Sequence, residues 1–351
     1  MGYGCRHNFV ILFTYNSNRK RIRNFCMNKP SGAEWRAMMK GFVQYHILKI
    51  LSHLISFLPY SLICRIGRGI GRLYFRVAGG QRERGIEQAM HSLEIPYNEA
   101  RGLIREVFCN LGQTLMEVLY IPALARKDIS RYVSIEGLPY LEEALNAGRG
   151  VVLLTAHMGN WEWLGAALAH TGLPITTIVK PQPNAQYTRI LNEYRRQVGL
   201  EVFNRGSTEI VKAARALKQG KALGFLADLD GGTEGIFVDF FGSPASTPVG
   251  PALFAKKFNS AIIPVYAYHL PGGGHRVVIE PPLSYEHCVD PEQEILQNTV
   301  KMTRTIENAI RKHPSEWLWF LRRWHTPEDN GKKRSFIDRR PSHTAADPAI
   351  R

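Results

Sequence analysis

The chain has 351 residues, 44% of them hydrophobic and 21% charged, as in a globular protein that can bury a large core. Against 30 acidic residues stand 45 lysines and arginines, giving a formal net charge of +15. This charge favours an anionic partner such as nucleic acid, an anionic membrane surface or an acidic protein, with a merely basic solvated surface as the alternative. Five widely spaced cysteines without a CxxC pair exclude a disulfide framework and a zinc site, so reduced, cytosol-facing thiols are expected.

The first third of the chain predicts a basic extension followed by helices. Residues 1–37 are basic and aperiodic and are interpreted as an extension or a mobile arm. Residues 38–125 are interpreted as a helical, membrane-associated region, although no uncharged apolar stretch is long enough to predict a strong transmembrane helix. After Pro59 a predicted helix is apolar on one side and basic on the other, and the basic side consists of Arg65, Arg68, Arg72 and Arg76. This pattern is typical of a helix lying in an anionic membrane interface, with an ordinary surface helix as the alternative, and three nearby glycines weaken the helical prediction.

Apolar strands then alternate with amphipathic helices over residues 126–326. The predicted strands are 150–156, 174–180, 200–204, 222–228, 261–268 and 275–280. The predicted helices are 160–171, 184–198, 207–219, 248–258 and 292–313. The alternation predicts an α/β fold with a mainly parallel central sheet covered by helices on both faces. Residues 327–351 form a polar, basic tail.

A histidine five positions before an acid occurs three times in the chain, so this spacing alone proves nothing. His157 and Glu162 differ from the other two pairs because His157 ends the strongest predicted strand and Glu162 begins a helix that Asn160 is placed to cap. Across such a turn the two side chains can converge. A carboxylate that binds one imidazole nitrogen leaves the other free as a base. The alternative is a buried structural histidine beside a helix N-terminal charge.

Other polar residues follow neighbouring predicted strands. Asp228 and Asp230 end the strand at 222–228, where they can bind a metal, support His157, position a substrate or simply cap a turn. Arg205 ends another strand ahead of a helix, an arrangement that favours anions such as phosphate. There is no GxSxG nucleophile elbow, no Walker A loop and no RNP-like pattern, so a serine hydrolase of that type, a P-loop enzyme and a nucleic-acid-binding protein are not predicted.

With these residues assembled, the chain resembles the lipid A biosynthesis (lauroyl/myristoyl) acyltransferases, which belong to a larger lysophospholipid acyltransferase-like group with an HX4(D/E) motif. The resemblance covers residues 42–326. It rests on the ordered series "HMGNWEWLG", "NRG", "FLADLDGG", "GIFVDFFGSPASTPVGPALFAKK", "IIPVY" and "HPSEWLWFLRRW".

The resemblance implies transfer of a fatty acyl chain from an acyl carrier protein or coenzyme A thioester to a hydroxyl of a glycolipid, with a lipid A precursor as the expected acceptor. The expected location is the cytoplasmic face of the inner membrane, as a peripheral or monotopic protein. His157 would be the general base and Glu162 would orient it, with no covalent acyl-enzyme. Asn160, Arg205, Asp228 and Asp230 would contact or position substrate, and neither a metal nor a bound cofactor is expected.

The segment "MGNWE" differs from the corresponding segment of the lauroyl and myristoyl transferases and resembles that of relatives that acylate other glycolipids, such as phosphatidylinositol mannosides. The lipid acceptor therefore stays open between these two classes. A non-catalytic lipid-binding protein with the same fold is a further alternative.

Overall fold

The structure is a computed structural model that describes residues 32–328. Its strands are β1 (Val133–Glu136), β2 (Val151–Thr155), β3 (Ile175–Val179), β4 (Glu201–Asn204), β5 (Ala222–Leu226), β6 (Ile236–Phe240), β7 (Ser243–Thr247), β8 (Ala261–His269) and β9 (His275–Ile279). Its α-helices are α1 (Gly32–Ile55), α2 (Tyr60–Val77), α3 (Gly79–Leu93), α4 (Tyr97–Leu124), α5 (Leu138–Asn146), α6 (Trp161–His170), α7 (Ala185–Gln197), α8 (Ser207–Lys218), α9 (Gly250–Phe258) and α10 (Pro291–Lys312).

Seven strands form one sheet in the order β1-β9-β8-β2-β5-β3-β4, and β6 and β7 form a separate hairpin. Every neighbouring pair in the large sheet is parallel except β8 and β9. The predicted α/β fold with a mainly parallel sheet is therefore confirmed. Strand β2 is the fourth of seven, so the residues that follow it emerge near the middle of the sheet edge.

Alternate side chains of β2 enter two different hydrophobic cores, one on each face of the sheet. Val152 and Leu154 belong to the first core, whereas Val151 and Leu153 belong to the second. All five residues of the strand are buried. This is why its sequence is an unbroken apolar run rather than an alternating one.

The N-terminal helices pack against the sheet domain through α4. This helix is long and apolar enough to cross a membrane, but 72% of its most apolar window is buried within the protein, as in the core helix of a soluble fold. Helix α1 begins at Gly32 and runs across the predicted boundary between residues 37 and 38. The other residues of the predicted extension, and the tail beyond residue 328, lie outside the described residues.

Glycines that weakened the helical prediction allow α2 to approach α4 closely. A Cβ atom at Gly71 would lie 2.1 Å from the carbonyl oxygen of Phe108, and one at Gly112 would lie 2.2 Å from the carbonyl oxygen of Gly67. By contrast, a Cβ at Gly69 would meet nothing within 4 Å. Two of the three glycines of α2 therefore serve the helix contact.

Four elements were not predicted from the sequence, namely β1, α5 and the two strands of the β6–β7 hairpin. Strand β1 has only four residues, three of them not fully buried, and helix α5 has only nine, so neither shows a clear hydrophobic period. The segment 236–247 forms the β6–β7 hairpin on one side of the sheet, and its phenylalanines Phe237, Phe240 and Phe241 are buried.

Candidate active site

His157 lies in the loop between β2 and α6, at the carboxyl end of the central strand. Asn160 caps α6, because its Oδ1 accepts a hydrogen bond from the backbone N–H of Trp163 at 3.0 Å. Between them Gly159 has φ +55°, and a Cβ there would lie 1.9 Å from the carbonyl oxygen of Ala267. The turn after His157 therefore requires glycine at this position.

The side chain of Asp228, two residues beyond the neighbouring strand β5, holds His157 at two points. His157 Nδ1 lies 2.8 Å from Asp228 Oδ1, and the backbone N–H of His157 donates to Asp228 Oδ2 at 2.9 Å. Trp317 Nε1 also donates to Oδ2 at 2.8 Å. Of the alternatives open for Asp228, the structure places it in support of His157.

The charge on Asp228 fixes the tautomer of His157. Burial of Asp228 opposes ionisation, but the positive charge of His157 and hydrogen bonds from His157 and Trp317 outweigh it, so the pKa of Asp228 lies below its ordinary value. An ionised carboxylate only accepts hydrogen bonds, so Nδ1 carries a proton, and in the neutral imidazole Nε2 presents a lone pair. The His157 side chain is 22% exposed, and none of the described residues forms a hydrogen bond with Nε2.

The expected hydrogen bond between Glu162 and His157 is corrected by the structure. Glu162 instead makes a bidentate ion pair with Arg195 of α7, with Nε–Oε2 and Nη2–Oε1 distances of 2.8 and 2.5 Å. Both side chains are nearly buried, at 8% and 12% exposure. The reason is helical geometry: Glu162 lies in the first turn of α6 and points to the neighbouring helix, whereas Asp228 lies at the adjacent strand end.

The structure also corrects the expected substrate contact of Asn160. The residue is fully buried, and its amide donates to Glu117 Oε2 of α4 at 2.7 Å. With Oδ1 on the helix cap and Nδ2 on Glu117, both ends of the amide are occupied within the protein. Asn160 therefore shapes the turn that follows His157.

Glu117 is the hub of a buried polar network beneath this turn. Its carboxylate accepts hydrogen bonds from Tyr60, Gln113, Asn160 and His275, all between 2.7 and 2.9 Å. Burial raises its pKa, but His275, His269 and Gln113 more than offset this, so the pKa falls to about 2. Glu117, His269 and His275 have ligand-type atoms within 4.8 Å of one another, yet hydrogen bonds already satisfy the carboxylate.

Among the described residues, neither Arg205 nor Asp230 forms a hydrogen bond with His157. Arg205 is exposed at the end of β4, which lies three strands away from β2, a lateral distance of about 14 Å at ordinary strand spacing. Asp230 accepts hydrogen bonds from the hydroxyl of Thr326 at 2.7 Å and from the backbone of Gly232 at 3.2 Å. It thereby fixes the turn after β5 and holds Thr326 against it, and its substrate contact stays a prediction.

Three residues at the site were not selected from the sequence. Trp317 holds Asp228, Arg195 holds Glu162, and the ring of Trp161 contacts that of His157 with centroids 5.1 Å apart. Trp317 lies in the segment "HPSEWLWFLRRW", so the motif was visible in the sequence. Its contact with Asp228, 89 residues earlier in the chain, was not.

An apolar slot lies beside the His157 turn. Trp161, Glu162 and Arg195 line it, and its apolar wall consists of Leu153, Leu164, Leu168, Ile175, Val179, Leu200, Leu226 and Val265. Trp161 connects this slot to the His157 turn, since its ring contacts that of His157 as well. The segments "FVDFFG" and "PVGPALFA" contribute instead to the packed core on the opposite face of the sheet.

The structure is thus an α/β protein with a mainly parallel sheet and a histidine–aspartate pair at the carboxyl end of its central strand. Such a pair is suited to proton transfer. The family model described as bacterial lipid A biosynthesis acyltransferase matches residues 33–326. The chain therefore belongs to this family and is an acyltransferase, as the sequence motifs predicted.

Similar proteins come from two groups of glycolipid acyltransferases. The chain is 27% identical to the phosphatidylinositol mannoside acyltransferase of Mycolicibacterium smegmatis, over 73% of this chain and 83% of that relative. It is 24% identical to the lipid A biosynthesis lauroyltransferase of Escherichia coli, over 78% of this chain and 88% of that relative. The chain is also 25% identical to the lipid A biosynthesis palmitoleoyltransferase of the same organism, over 77% of this chain and 87% of that relative. The comparisons therefore support a glycolipid acyltransferase.

Proposed function

We propose that the protein transfers a fatty acyl group from an acyl carrier protein or coenzyme A thioester to a hydroxyl of a lipid A precursor, with His157 as the general base. The observation that carries this proposal is the pairing of His157 Nδ1 with the buried carboxylate of Asp228 at 2.8 Å. The pairing leaves Nε2 as the basic nitrogen on the exposed side of the ring.

In the proposed reaction, Nε2 takes the proton of the acceptor hydroxyl while the hydroxyl oxygen attacks the thioester carbonyl carbon. The carbon–sulfur bond then breaks, and the departing sulfur takes the proton back from Nε2. The products are an oxygen ester and a free thiol. Asp228 stays ionised throughout and stabilises the transient imidazolium of His157. No protein nucleophile takes part.

The apolar slot is proposed to receive the acyl chain, and because its volume is only about 60 Å³ it must widen to do so. Its wall is formed by sheet and α6 side chains, and Trp161 connects it to His157. Gly224 also lines the slot, and a Cβ there would make only ordinary contacts at 3.5 Å and beyond. A Gly224→Val variant is therefore expected to fold and to prefer a shorter acyl chain. An unchanged chain-length profile would place the chain elsewhere.

Exposed apolar side chains on α1 and α2 support association with a membrane. These apolar residues, on the two helices and the turn between them, are Phe42, Val43, Ile47, Ile50, Leu51, Leu54, Phe57, Ile66, Ile70, Leu73 and Val77, each at least 38% exposed. Such an area is larger than the scattered apolar residues of ordinary surfaces. We infer a peripheral or monotopic position at the cytoplasmic face of the inner membrane, where the lipid acceptor is within reach.

A phosphatidylinositol mannoside is the second candidate acceptor. It is favoured by the identity of 28% with the phosphatidylinositol mannoside acyltransferase of Mycobacterium tuberculosis, over 61% of this chain and 67% of that relative. The family model and the lauroyltransferase favour the lipid A precursor.

One assay tests donor, acceptor and base together. The purified protein is given acyl carrier protein or coenzyme A thioesters with each acceptor, and mass spectrometry records which lipid gains an acyl chain. His157→Ala is expected to lower the rate by about 10²–10⁴-fold. The matched control is His170→Ala, at the exposed end of α6, which should keep the wild-type rate. Wild-type activity of His157→Ala would refute the proposed base, and retained lipid binding without any transfer would favour the non-catalytic alternative.

A further inference from the structure

Helices α2 and α4 enclose a second cavity on the helical side of the protein. Its volume is about 500 Å³, and its wall is formed by Arg72, Phe75, Arg76, Arg101, Arg105, Glu106 and Cys109. We call it the arginine cavity. Four guanidinium groups thus face one space large enough for a small-molecule headgroup, and neither His157 nor Asp228 belongs to it.

The charge in the arginine cavity is not neutralised by the protein. Glu106, the one acidic residue of the wall, is paired with Arg68 at 2.5 Å. Within residues 32–328, no carboxylate forms an ion pair with Arg72, Arg76, Arg101 or Arg105. All four are exposed, so a ligand can reach them. Guanidinium groups offer paired N–H donors that fit phosphate oxygens, and several converging on one space favour a phosphate group over a single carboxylate.

The position of the arginine cavity follows from the three faces of α2. One face is buried against α4 and contains Gly67 and Gly71. The next carries the arginines, and the third carries the exposed side chains of Ile66, Ile70, Leu73 and Val77. At 100° per residue these three faces are about 120° apart. When the third face enters the acyl region of a bilayer, the arginines lie at the depth of the lipid phosphates.

We propose that the arginine cavity binds the phosphate group of an anionic membrane lipid and thereby holds the enzyme on the membrane. This inference rests on the membrane association in the proposed function and adds a defined headgroup site to it. The site is separate from the acyl-transfer site, because α4 stands between them. Cys109 of α4 lines the arginine cavity, whereas its neighbour Asn110 faces the other site. The amide of Asn110 donates to the backbone carbonyl of Ser315 at 3.1 Å, two residues before Trp317, which holds Asp228.

The test measures sedimentation of the full chain with vesicles of phosphatidylcholine alone and of phosphatidylcholine with phosphatidylglycerol. A variant with Arg72, Arg76, Arg101 and Arg105 each changed to Gln is compared with a matched control. The control changes four exposed basic residues of α8 and α9 to Gln, namely Lys212, Arg215, Lys218 and Lys257. Both variants lose the same formal charge. Circular dichroism checks the fold, and the pairs Arg72→Gln/Arg76→Gln and Arg101→Gln/Arg105→Gln provide milder variants.

We expect the cavity variant to bind phosphatidylglycerol vesicles at least about tenfold more weakly than the control, because each basic side chain near an anionic surface contributes roughly a fivefold factor. Binding of neutral vesicles should be the same for both. Equal binding of anionic vesicles by the two variants would overturn the headgroup site alone. Absence of vesicle binding by the wild-type protein would overturn membrane association as well, while the transfer assay still judges the chemistry.

A second measurement separates the sources of phosphate. Inorganic phosphate is titrated into the wild-type and cavity variants and followed by calorimetry. Weak binding of inorganic phosphate together with strong binding of anionic vesicles supports the lipid assignment. Binding of inorganic phosphate that the cavity variant loses, with vesicle binding unchanged, would assign the cavity to a soluble phosphate compound and overturn the lipid assignment.

Discussion

Asp228 accepts two hydrogen bonds from His157, one from the ring at 2.8 Å and one from the backbone N–H at 2.9 Å. The second bond fixes the backbone at the strand end, and the first fixes the ring on it. Because Asp228 follows β5, which pairs with β2 in parallel register, both residues emerge at the same edge of the sheet. The sheet thus sets the position of the nitrogen that we propose as the base.

Removing the Trp317 hydrogen bond should weaken this arrangement. In Trp317→Phe the carboxylate of Asp228 loses one of its three hydrogen-bond donors, so we expect kcat to fall about tenfold, the value of one hydrogen bond to a charged group. Trp319→Phe is the control, because Trp319 is equally buried but donates to the Pro314 backbone. Steady-state kinetics measures kcat for both variants. An equal fall in kcat in the two would mean that the effect comes from lost packing and not from the lost hydrogen bond.

Glu162 and Arg195 should act as a unit. We expect Glu162→Gln and Arg195→Gln each to lower the free energy of unfolding by about 3 kcal/mol, because each leaves an unpaired, nearly buried charge. The double variant should lose less than the sum of the two. The acyl-transfer rate of the double variant should match that of each single variant. Denaturant unfolding of the two single variants and the double variant measures these free energies. If the loss in the double variant equals the sum of the single losses, the two residues act independently.

Any side chain at Gly71 should destabilise the contact between α2 and α4. Gly71→Ala places a Cβ 2.1 Å from the Phe108 carbonyl oxygen, so α2 and α4 must separate at a cost of about 1–3 kcal/mol. Gly69→Ala, which meets nothing within 4 Å, should instead stabilise the protein by about 0.5–1 kcal/mol. Thermal unfolding of the two variants gives the comparison. Similar shifts of Tm in both would contradict the close packing.

Acid stability should depend on Glu117. Its folded-state pKa is lowered from the ordinary 4.5 to about 2, so the ionised group contributes stability above the unfolded pKa, and this contribution is lost as the pH falls towards 2. We expect Glu117→Gln to be less stable at neutral pH and to lose less stability on acidification. Unfolding by urea from about pH 3 to about pH 7 measures the slope. The exposed Glu142→Gln is the control and should keep the wild-type slope; an unchanged slope in Glu117→Gln would disprove the network's role.

Much of the sheet and the location of the site were predictable, whereas the partners within the site were only partly so. The unbroken run of β2 and the strand-end rule located His157, and the same rule brought Asp228 to the same edge. The expected contact of Glu162 with His157 was wrong because its partner, Arg195, comes from a helix whose packing against α6 has no local sequence signal. Arg205 was placed too near the site because strand order, which puts β4 at the sheet edge, cannot be read from the order of strands in the chain.

The buried network around Glu117 could not be predicted for a different reason. Its members come from α2, α4, the α6 cap and β9, which are far apart in the chain. Only the folded chain brings them together. Likewise, the glycines of α2 argued against a helix in isolation, since their benefit arises only on contact with α4.

The most direct test of the account is the rate of a single round of acyl transfer by Asp228→Asn. An asparagine in this position keeps the size of the side chain but removes the charge that fixes the His157 tautomer and stabilises its imidazolium. We predict a fall in this rate of about 10³–10⁴-fold with the fold retained. A rate within a few-fold of wild type, from a protein with an unchanged Tm, would contradict the claim that Asp228 prepares His157 as the base.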